Sequence, residues 1–437
     1  MRKSRAWSGL MGVAVVAGSV WAQQASFTPI PDLPGGSVLS RARAVSRDGG
    51  VVVGMSNSAN GDEAMRWVVA APAAGGLGDI AGGVFSSEAY ACSGDGSVVF
   101  GAGTNAGGNN EAFRWTVSGG LVSLGFLPTG GYVSRAYGSS ADGAMACGEN
   151  LFQPTGVPPP LPITQAFIWT QAGGMQGLGF LPGNSFYSTA RAMSADGGVI
   201  VGWAEDASGV NRPFRWAAAT GMVDFGNGQV TGTARGVSSD GTWIVGSDST
   251  TAQAYRWSNA TGFEELGVIA GRTSSAAAGV SADGKRIAGV CSGGPGQVAC
   301  LWQEGYGGCG VPASENWATI ADLLASRGVS TSGWTLQVAL SISDDGYSII
   351  GYGLNPSGQT QGWLAFLPPP PPQCSSPDYN CDGDIGTDAD IESFFNCIAG
   401  TCPPPPCCST ADFNGDGDVG TDADIESFFR VLAGGGC

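Results

Sequence analysis

The chain has 437 residues, of which 74 are glycine and 25 are proline, and only 13% carry a charge. This composition predicts turn-rich β structure rather than an ordinary helical enzyme. The chain contains no histidine, which excludes Ser-His-Asp and Cys-His catalysis and any zinc site with histidine ligands.

The formal net charge of −17 is unevenly distributed. Residues 374–437 contain ten aspartates and two glutamates against Arg430 alone, whereas the rest of the chain is nearly neutral for its length. Nucleic acids and anionic lipids bind basic surfaces, so this distribution argues against both as partners.

The N-terminus has the pattern of a secretory signal peptide. Basic residues Arg2, Lys3 and Arg5 precede the apolar run GLMGVAVVAGSVWA. We predict a signal peptide over residues 1–22 and export to the cell surface or the medium. The apolar run is too short for a membrane span, and no later stretch reaches that length. The twelve cysteines then predict disulfides in an oxidising compartment, with five cysteines before residue 374 and seven from residue 374 onward.

A block of about 45 residues recurs seven times after the signal peptide, which is typical of a propeller or other repeat fold. Each block has a strand of small residues, an Asp-Gly turn, a VVVG-like strand and an AFRW-like strand, often followed by GMxxLG. The turn aspartates are Asp48, Asp95, Asp142, Asp196, Asp240, Asp283 and Asp345. The matching tryptophans are Trp67, Trp115, Trp169, Trp216, Trp257, Trp302 and Trp363.

Four short strands in each of seven blocks predict a mainly β, seven-bladed propeller over residues 23–367. The Asp-Gly pairs predict type I′ hairpin turns, in which both central residues have positive φ. The last block lacks its fourth strand, and residues 26–36 resemble such a strand without a block of its own. We therefore expect the N-terminal strand to complete the last blade. An insertion at 316–328 has helical spacing, with Thr319 as cap and Gly328 as stop.

The repeated aspartates and tryptophans occur in every block, so we interpret them as parts of the blades rather than as ligands. The same holds for the arginines of the RW pairs, whose stems cover apolar surface. These arginines are Arg66, Arg114, Arg215 and Arg256.

The pattern A-x-x-V-S-x-D-G-x-x-V-V-G, followed by A-F-R-W and G-G-M-x-x-L-G, resembles the extracellular HAF-repeat family of bacterial secreted proteins. The resemblance covers about residues 26–367 and includes a closing repeat, GWTLQVALSISDDGYSIIGYG. It implies the architecture and brings no known reaction.

A proline-rich linker, residues 368–373, precedes an acidic tail over residues 374–437. The tail contains D-x-N-x-D-G-D twice, which is the start of an EF-hand-type calcium loop. Side-chain oxygens at positions 1, 3 and 5 converge on the ion, and position 7 offers its backbone carbonyl. The candidate ligands are Asp378, Asn380, Asp382 and Asp384 in the first copy, and Asp412, Asn414, Asp416 and Asp418 in the second.

Each loop is followed by the helix-start pattern TDAD, with Thr387 and Asp390 in one copy and Thr421 and Asp424 in the other. An apolar helix face then follows, formed in the first copy by Ile391, Phe394, Phe395 and Ile398. One loop and helix cannot bury that face alone, so we expect the two copies to pack together in a domain that folds only with calcium.

This arrangement resembles a dockerin, and more closely a dockerin-like module that ends in Gly-Cys. The resemblance implies attachment to a cohesin-like or other surface anchoring protein. Position 12, which holds the last ligand in such loops, is Ala389 or Ala423 here. Asp390 and Asp424 close the loops if each is one residue longer, and the alternative is Asp388 and Asp422.

Two functions follow from these features. The first is a non-enzymatic binding and display protein held at the surface by its tail. The second is a polysaccharide-active enzyme or a lectin, since paired carboxylates outside the repeat pattern would support glycoside hydrolysis or elimination. The candidate acids follow the second strands of the third to fifth blocks, where we also consider them as solvated loop residues: Glu149, Glu205, Asp206 and Asp248.

Overall fold

The structure is a computed structural model. It describes residues 24–153, 162–183, 186–294, 296–304, 316–368, 378–380, 382, 384, 386–402, 411–414 and 418–433. The predicted signal peptide, residues 1–22, lies outside these ranges, as do residues 369–373 of the predicted linker.

The chain is mainly β, and its sheets follow one another in sequence order. The first has eight strands: β2 Gly35–Val45, β3 Val51–Ser58, β4 Gly61–Val68, β5 Gly75–Gly76, β6 Gly82–Cys92, β7 Val98–Asn105, β8 Asn110–Thr116 and β9 Gly120–Gly125. Its two halves meet at a single parallel pair, Asp62 with Ser86.

Five four-stranded antiparallel sheets follow. The first two are β10 Val133–Ser139, β11 Met145–Phe152, β12 Ile163–Thr170 and β13 Gly174–Gly179, then β14 Ser188–Met193, β15 Ile200–Glu205, β16 Asn211–Ala217 and β17 Gly221–Asp224. The next two are β18 Gly232–Val237, β19 Ile244–Asp248, β20 Gln253–Ser258 and β21 Gly262–Glu265, then β22 Ser274–Val280, β23 Arg286–Ser292, β24 Val298–Gln303 and β25 Trp317–Thr319. The last is β26 Thr335–Ile342, β27 Ser348–Leu354, β28 Thr360–Phe366 and, from the N-terminus, β1 Ser26–Pro29.

The N-terminal strand completes the last sheet, as predicted. Strand β1 pairs antiparallel with β28, with Ser26 opposite Phe366 and Pro29 opposite Trp363. The Ile30 amide extends this pairing by donating to the Gly362 carbonyl at 2.9 Å. The two ends of the repeat region are therefore fastened to each other within one sheet.

The described residues include three helices: α1 Ile320–Ala325, α2 Asp388–Ile398 and α3 Asp422–Leu432. The first lies in the predicted insertion, where Thr319 caps it by accepting from the Asp322 amide and Gly328 has a φ of 74°. Within the described ranges, no helix combines the length and apolar character that a bilayer span needs.

The predicted turn type is wrong. In the Asp-Gly pair of the first repeat, Gly49 has positive φ and Asp48 does not. The Gly49 amide donates to the Ser46 carbonyl, so the glycine follows a tight turn centred on Arg47 and Asp48. The Asp48 carboxylate accepts from the Ser46 hydroxyl at 2.5 Å and from the Gly50 amide at 2.9 Å. This Ser-x-Asp-Gly turn, which is longer than a two-residue hairpin, recurs in all seven repeats.

Backbone hydrogen bonds connect the turns of successive repeats. At six of the seven junctions, the residue between the serine and the aspartate donates its amide to the equivalent carbonyl of the next repeat, for example Arg47 to Gly94 at 3.0 Å and Gly94 to Ala141 at 2.8 Å. The Asp344 amide of the last repeat donates to the Arg47 carbonyl of the first at 2.9 Å. These hydrogen bonds therefore connect the last turn to the first as well as neighbouring turns along the chain.

A serine in several first strands, which the repeat pattern did not indicate, provides a second link between neighbouring repeats. Ser134 accepts from the Ala112 amide at 2.9 Å and donates to the Gly125 carbonyl at 2.8 Å. Ser87, Ser188 and Ser275 make the same pair of bonds to the repeat before them.

The repeated tryptophans pack within and between sheets, as interpreted from the sequence. Trp302 and Trp363 are fully buried, and Trp169 contacts Phe100 of the preceding repeat with ring centroids 6.1 Å apart. Three of the four RW arginines also bind the following turn, since Arg66, Arg114 and Arg256 donate to the carbonyls of Gly96, Gly143 and Gly284.

The cysteine prediction is tested only in part. Cys397 and Cys402 form a disulfide in the tail. Four described cysteines of the repeat region are free: Cys92, Cys147, Cys291 and Cys300. The remaining six cysteines lie outside the described residues.

Replacing Ser134 with alanine tests the link between repeats. Two buried backbone groups lose their partner, so we expect the free energy of unfolding to fall by about 1–3 kcal/mol. Urea denaturation measures the change. Ser118→Ala, in an exposed turn of the same repeat pair, is the control and should stay within about 0.5 kcal/mol of the parent chain. Equal effects of the two substitutions would contradict the role of Ser134.

The aspartate turns predict acid sensitivity. The Ser97 amide, and then the hydroxyls of Ser93 and Ser97, lower the pKa of Asp95 from 3.8 to about 2. Because the folded pKa lies below the unfolded one, the carboxylate stabilises the ring above about pH 4 and loses that contribution as the pH falls through about 2. In Asp95→Asn we expect a shallower fall of the unfolding free energy between about pH 4 and 2. An unchanged pH profile would contradict this account.

Candidate functional site

The first strand of each repeat lies on the inside of the ring. These inner strands are β2, β6, β10, β14, β18, β22 and β26, and each contacts the inner strands of the two neighbouring repeats, with β2 next to both β6 and β26. Each inner strand also has a register shift just after a buried alanine, which marks a β-bulge. The residues at the bulges are Arg43, Tyr90, Tyr137, Arg191, Arg235, Ala278 and Leu340.

Side chains at the bulges contact one another from repeat to repeat. Tyr90 and Tyr137 have ring centroids 5.1 Å apart, and the Arg191 guanidinium lies 4.2 Å from the Tyr137 centroid and 5.1 Å from that of Trp203. Arg43 forms an ion pair with Glu88 of the next repeat at 2.6 Å. We call this set the arginine–tyrosine cluster: Arg41, Arg43, Glu88, Tyr90, Arg135, Tyr137, Glu149, Arg191, Trp203, Arg235 and Tyr352.

Glu149, one of the four acids predicted as catalytic candidates, belongs to this cluster. Its side chain is 10% exposed and accepts from Arg135 Nη1 at 2.8 Å and from the Tyr137 hydroxyl at 2.9 Å. Burial, followed by the negative charge of Glu149, raises the pKa of Tyr137, so the phenol stays protonated and donates. Glu149 is thus held by two donors and positions the cluster.

Two other candidate acids hold loops. Asp206 accepts from Arg212 Nε at 2.8 Å and from the Ser208 amide at 2.8 Å, and the Arg212 hydrogen bond is the main cause that lowers the pKa of Asp206. Asp248 accepts from the Thr250 amide at 2.8 Å. Glu205 lies at the end of β15. Glu205 and Asp206 are neighbours in the chain, and the hydrogen bonds of Glu149, Asp206 and Asp248 are made with donors other than these four acids.

The acidic tail contains a cluster of three carboxylates. Asp378, Asp382 and Asp390 each place one carboxylate oxygen within 4.8 Å of the others. Asp390 is fully buried, whereas Asp388 is exposed on the first turn of α2. The structure therefore groups Asp390, rather than Asp388, with the acids of the first loop.

Asp390 also fastens the loop to the helix. One of its oxygens accepts from the Tyr379 amide at 2.8 Å and the Asn380 amide at 3.2 Å. The other accepts from the amide and hydroxyl of Thr387 at 2.9 and 3.0 Å, which confirms the predicted helix start. Burial alone would raise the pKa of Asp390, but these hydrogen bonds outweigh it and lower the pKa.

The second copy repeats this arrangement. Asp424 is buried and accepts from the amides of Phe413 and Asn414 at 2.7 and 3.2 Å, and from the Thr421 amide at 2.8 Å. Asp422 is exposed, as Asp388 is. Asp416 lies outside the described residues.

The first loop is ordered internally by its own side chains. Asn380 accepts from the Asp382 amide at 2.9 Å, and Asp382 accepts from the Asp384 amide at 2.9 Å. The Asp384 side chain is exposed. Alternate side chains of this loop thus bind its own backbone, and the Asp384 side chain is left exposed.

The two tail helices pack through their aromatic residues. Phe394 and Phe428 are fully buried and stack with centroids 4.2 Å apart, and Tyr379 and Phe413 of the two loops contact them edge-on. The predicted helix face is too wide, because Phe395 is 40% exposed.

No protein-family model matches the chain, and no curated protein matches it. Solved structures resemble it. An oligogalacturonate lyase from Vibrio parahaemolyticus is 10% identical, with a TM-score of 0.49 over 79% of this chain and 98% of its own. The β-propeller domain of Cps50 (Swd1) from Myceliophteria thermophila is 11% identical, with a TM-score of 0.45 over 77% of this chain and 98% of its own. These likenesses concern the propeller fold alone.

Replacing Asp390 with alanine tests its role in the tail. Three backbone amides and the start of α2 lose their acceptor, so we expect α2 to be destabilised by about 2 kcal/mol. Hydrogen exchange of the full chain, followed in the peptide that covers residues 386–402, measures the effect. Asp388→Ala, in the exposed first turn, is the matched control. Equal exchange in the two variants would contradict the role assigned to Asp390.

Proposed function

We propose that the chain is an exported, non-enzymatic binding and display protein. A seven-bladed propeller of the HAF-repeat type is the displayed part, and a dockerin-like tail that folds around calcium holds it at the cell surface or in an extracellular complex. The observation that carries the proposal is the duplicated tail unit, in which an acidic loop and a helix share one buried aspartate. The signal peptide over residues 1–22 supplies export.

The count of seven blades rests on the repeats. The eight-stranded sheet divides into two four-stranded units, whose strands pair with each other only at Asp62 and Ser86. Five further sheets of four strands follow, and β1 supplies the fourth strand of the last. Each unit has one Ser-x-Asp-Gly turn, and the Asp344 amide links the last turn to the first.

The tail residues fit calcium by their chemistry. Calcium binds six to eight oxygen ligands at about 2.3–2.6 Å, so two ligands of one ion lie at most about 5 Å apart. Asp378, Asp382 and Asp390 meet that limit, with oxygens within 4.8 Å of one another. Three carboxylates this close repel one another, and a divalent cation would remove that repulsion. Asp412, Asp416 and Asp424 are the corresponding residues of the second loop.

An apolar surface on the tail supports attachment to another protein. Phe395 and Phe429, at equivalent positions of α2 and α3, are 40% and 44% exposed, with centroids 6.2 Å apart. Exposed neighbouring aromatic residues are typical of protein interfaces. A cohesin-like or other surface anchoring protein is the partner that we propose for this surface.

The alternative of a polysaccharide-active enzyme receives less support. A glycosidase needs two carboxylates about 5–10 Å apart across the scissile bond, and Glu149, Asp206 and Asp248 are each held by donors of their own. Binding of a saccharide without turnover needs no such pair.

Calcium-dependent attachment tests the proposed function. We expect the full chain to be retained by an isolated cell-envelope fraction in calcium and released by a chelator. Calorimetric titration of the full chain should give two calcium ions per chain, and Asp382→Ala should leave one, because it removes a ligand of the first loop. Asp384→Ala, whose exposed side chain lies at the position that offers a backbone carbonyl, should keep both ions.

Two results would contradict the proposal. Equal retention with calcium and with chelator would show that attachment does not depend on calcium. If the chain binds no calcium while its tail helices remain folded, the proposed calcium sites in the tail are wrong.

A further inference from the structure

The arginine–tyrosine cluster concentrates positive charge in a chain whose formal net charge is −17. It contains five arginines, Arg41, Arg43, Arg135, Arg191 and Arg235, against only two carboxylates. Glu88 pairs with Arg43 at 2.6 Å and Glu149 pairs with Arg135 at 2.8 Å. Among the described residues, no carboxylate lies within ion-pair distance of Arg41, Arg191 or Arg235. The cluster therefore has an excess of positive charge.

Arg191 is held by two aromatic rings, and its guanidinium N–H groups are available for a ligand. Its guanidinium lies over Tyr137 at 4.2 Å and over Trp203 at 5.1 Å, so aromatic rings cover its faces. The planar N–H groups point outward along the edge of such a stacked guanidinium. Arg191 donates none of them to a described residue. That edge matches the two oxygens of a carboxylate.

Arg235 brings a second charge beside the first. It follows Arg191 at the bulge of the next inner strand, and water reaches its side chain. Its Nε donates to Thr233 Oγ1 at 3.2 Å. Desolvation by the surrounding protein atoms, followed by the positive charge of Arg191, lowers the pKa of Arg235. Two neighbouring cations with little countercharge are energetically costly unless an anion binds between them.

At the turn end of the ring, hydrogen bonds join side chains of three different repeats. At the turn end, Ser239 donates to the Asp344 carboxylate at 2.5 Å, and Arg47 donates to Ser239. These residues belong to the fifth, seventh and first repeats. A ligand would enter from the cluster's end and meet arginine edges together with Tyr90, Tyr137 and Trp203, all of which are half-buried.

We infer that the arginine–tyrosine cluster binds a carboxylate-bearing saccharide, with Arg191 and Arg235 on the carboxylate and the aromatic side chains against the sugar ring. This ligand class names what the displayed propeller holds and so rests on the proposed function. Aromatic faces with a few placed polar groups are typical of a small-ligand site. The acidic charge of the whole chain disfavours a densely charged polyanion, which favours a short oligomer or a chain end.

Calorimetric titration of the full chain tests the inference, in calcium and at low salt. The probes are tetramers of mannuronate, galacturonate and glucuronate, each compared with its carboxyl-reduced neutral counterpart. We expect at least one uronate tetramer to bind, its neutral counterpart to bind at least about ten-fold more weakly, and the affinity to fall as salt rises.

Substitutions then locate the site. Arg191→Gln and Arg235→Gln should each weaken binding at least about ten-fold, and Arg191→Lys should fall between them and the parent, because lysine keeps the charge and loses the fork. Arg114→Gln removes one arginine that lies outside the cluster and donates to the Gly143 carbonyl, so it should bind like the parent. The unfolding temperature of each variant shows that it has folded.

Four outcomes would overturn the inference. These are no binding of any uronate tetramer by folded chain, equal affinity for a neutral counterpart, preference for a sulfated neutral tetramer over every uronate, or binding that Arg191→Gln and Arg235→Gln leave unchanged. Calcium stoichiometry and envelope retention do not involve the cluster. If uronate binding fails while calcium binding and envelope retention persist, only the proposed ligand is wrong. If calcium binding and envelope retention are lost, the proposed display function is wrong.

Discussion

The hydrogen-bonded turn between the inner strand and the second strand is the element on which the ring depends. Each Ser-x-Asp-Gly turn fixes its own hairpin through the aspartate, as in Ser46 and Asp48. In six of the seven repeats, the residue between them donates a backbone hydrogen bond to the next repeat. One short sequence thus forms the strand pair and sets the position of its neighbour, and the pairing of β1 with β28 then fastens the two ends of the ring.

That closure restricts which inner-strand residues can carry a large side chain. The inner alanines, such as Ala42 and Ala136, are fully buried, and the facing second strand leaves no space, because a Cβ on Gly54 would lie 2.0 Å from the Arg41 carbonyl oxygen. The bulge that follows each alanine releases one residue from this packing. Arginine or tyrosine therefore occupies the bulge in the first five inner strands, whereas the last two carry Ala278 and Leu340. Closure of the ring brings the inner strands together, and the residues at the bulges determine the chemical character of the site.

Much of this could be predicted from the sequence where one residue type has one physical role. The repeated Asp-Gly pairs located the turns, the missing fourth strand predicted the pairing of β1 with β28, and Thr387 predicted the start of α2. The predicted turn type was wrong because the aspartate side chain accepts a hydrogen bond from the serine hydroxyl, which a two-residue turn does not include. Phe395 was wrongly predicted to be buried because the helix buries a narrower face than the sequence pattern indicates. Arg43, Arg191 and Arg235 occupy one position of the repeat, which was a visible signal. Their contacts depend on a bulge and a ring closure, which a linear pattern does not show.

The tail solves a similar problem with fewer residues, and its solution couples folding to charge. A unit of this size buries little apolar surface, and its core is mainly the stack of Phe394 on Phe428. Asp390 connects the loop amides to the start of α2 only as a carboxylate, and it lies in a group with Asp378 and Asp382 whose charges oppose one another. Asp390 thus both connects the loop to α2 and contributes to the charge repulsion within the loop. Because the aspartate has to be charged to accept its four hydrogen bonds, protonation relieves the repulsion only by weakening the helix start. A bound cation relieves the repulsion and leaves those hydrogen bonds in place, which makes a metal ion a better remedy for this loop than acid.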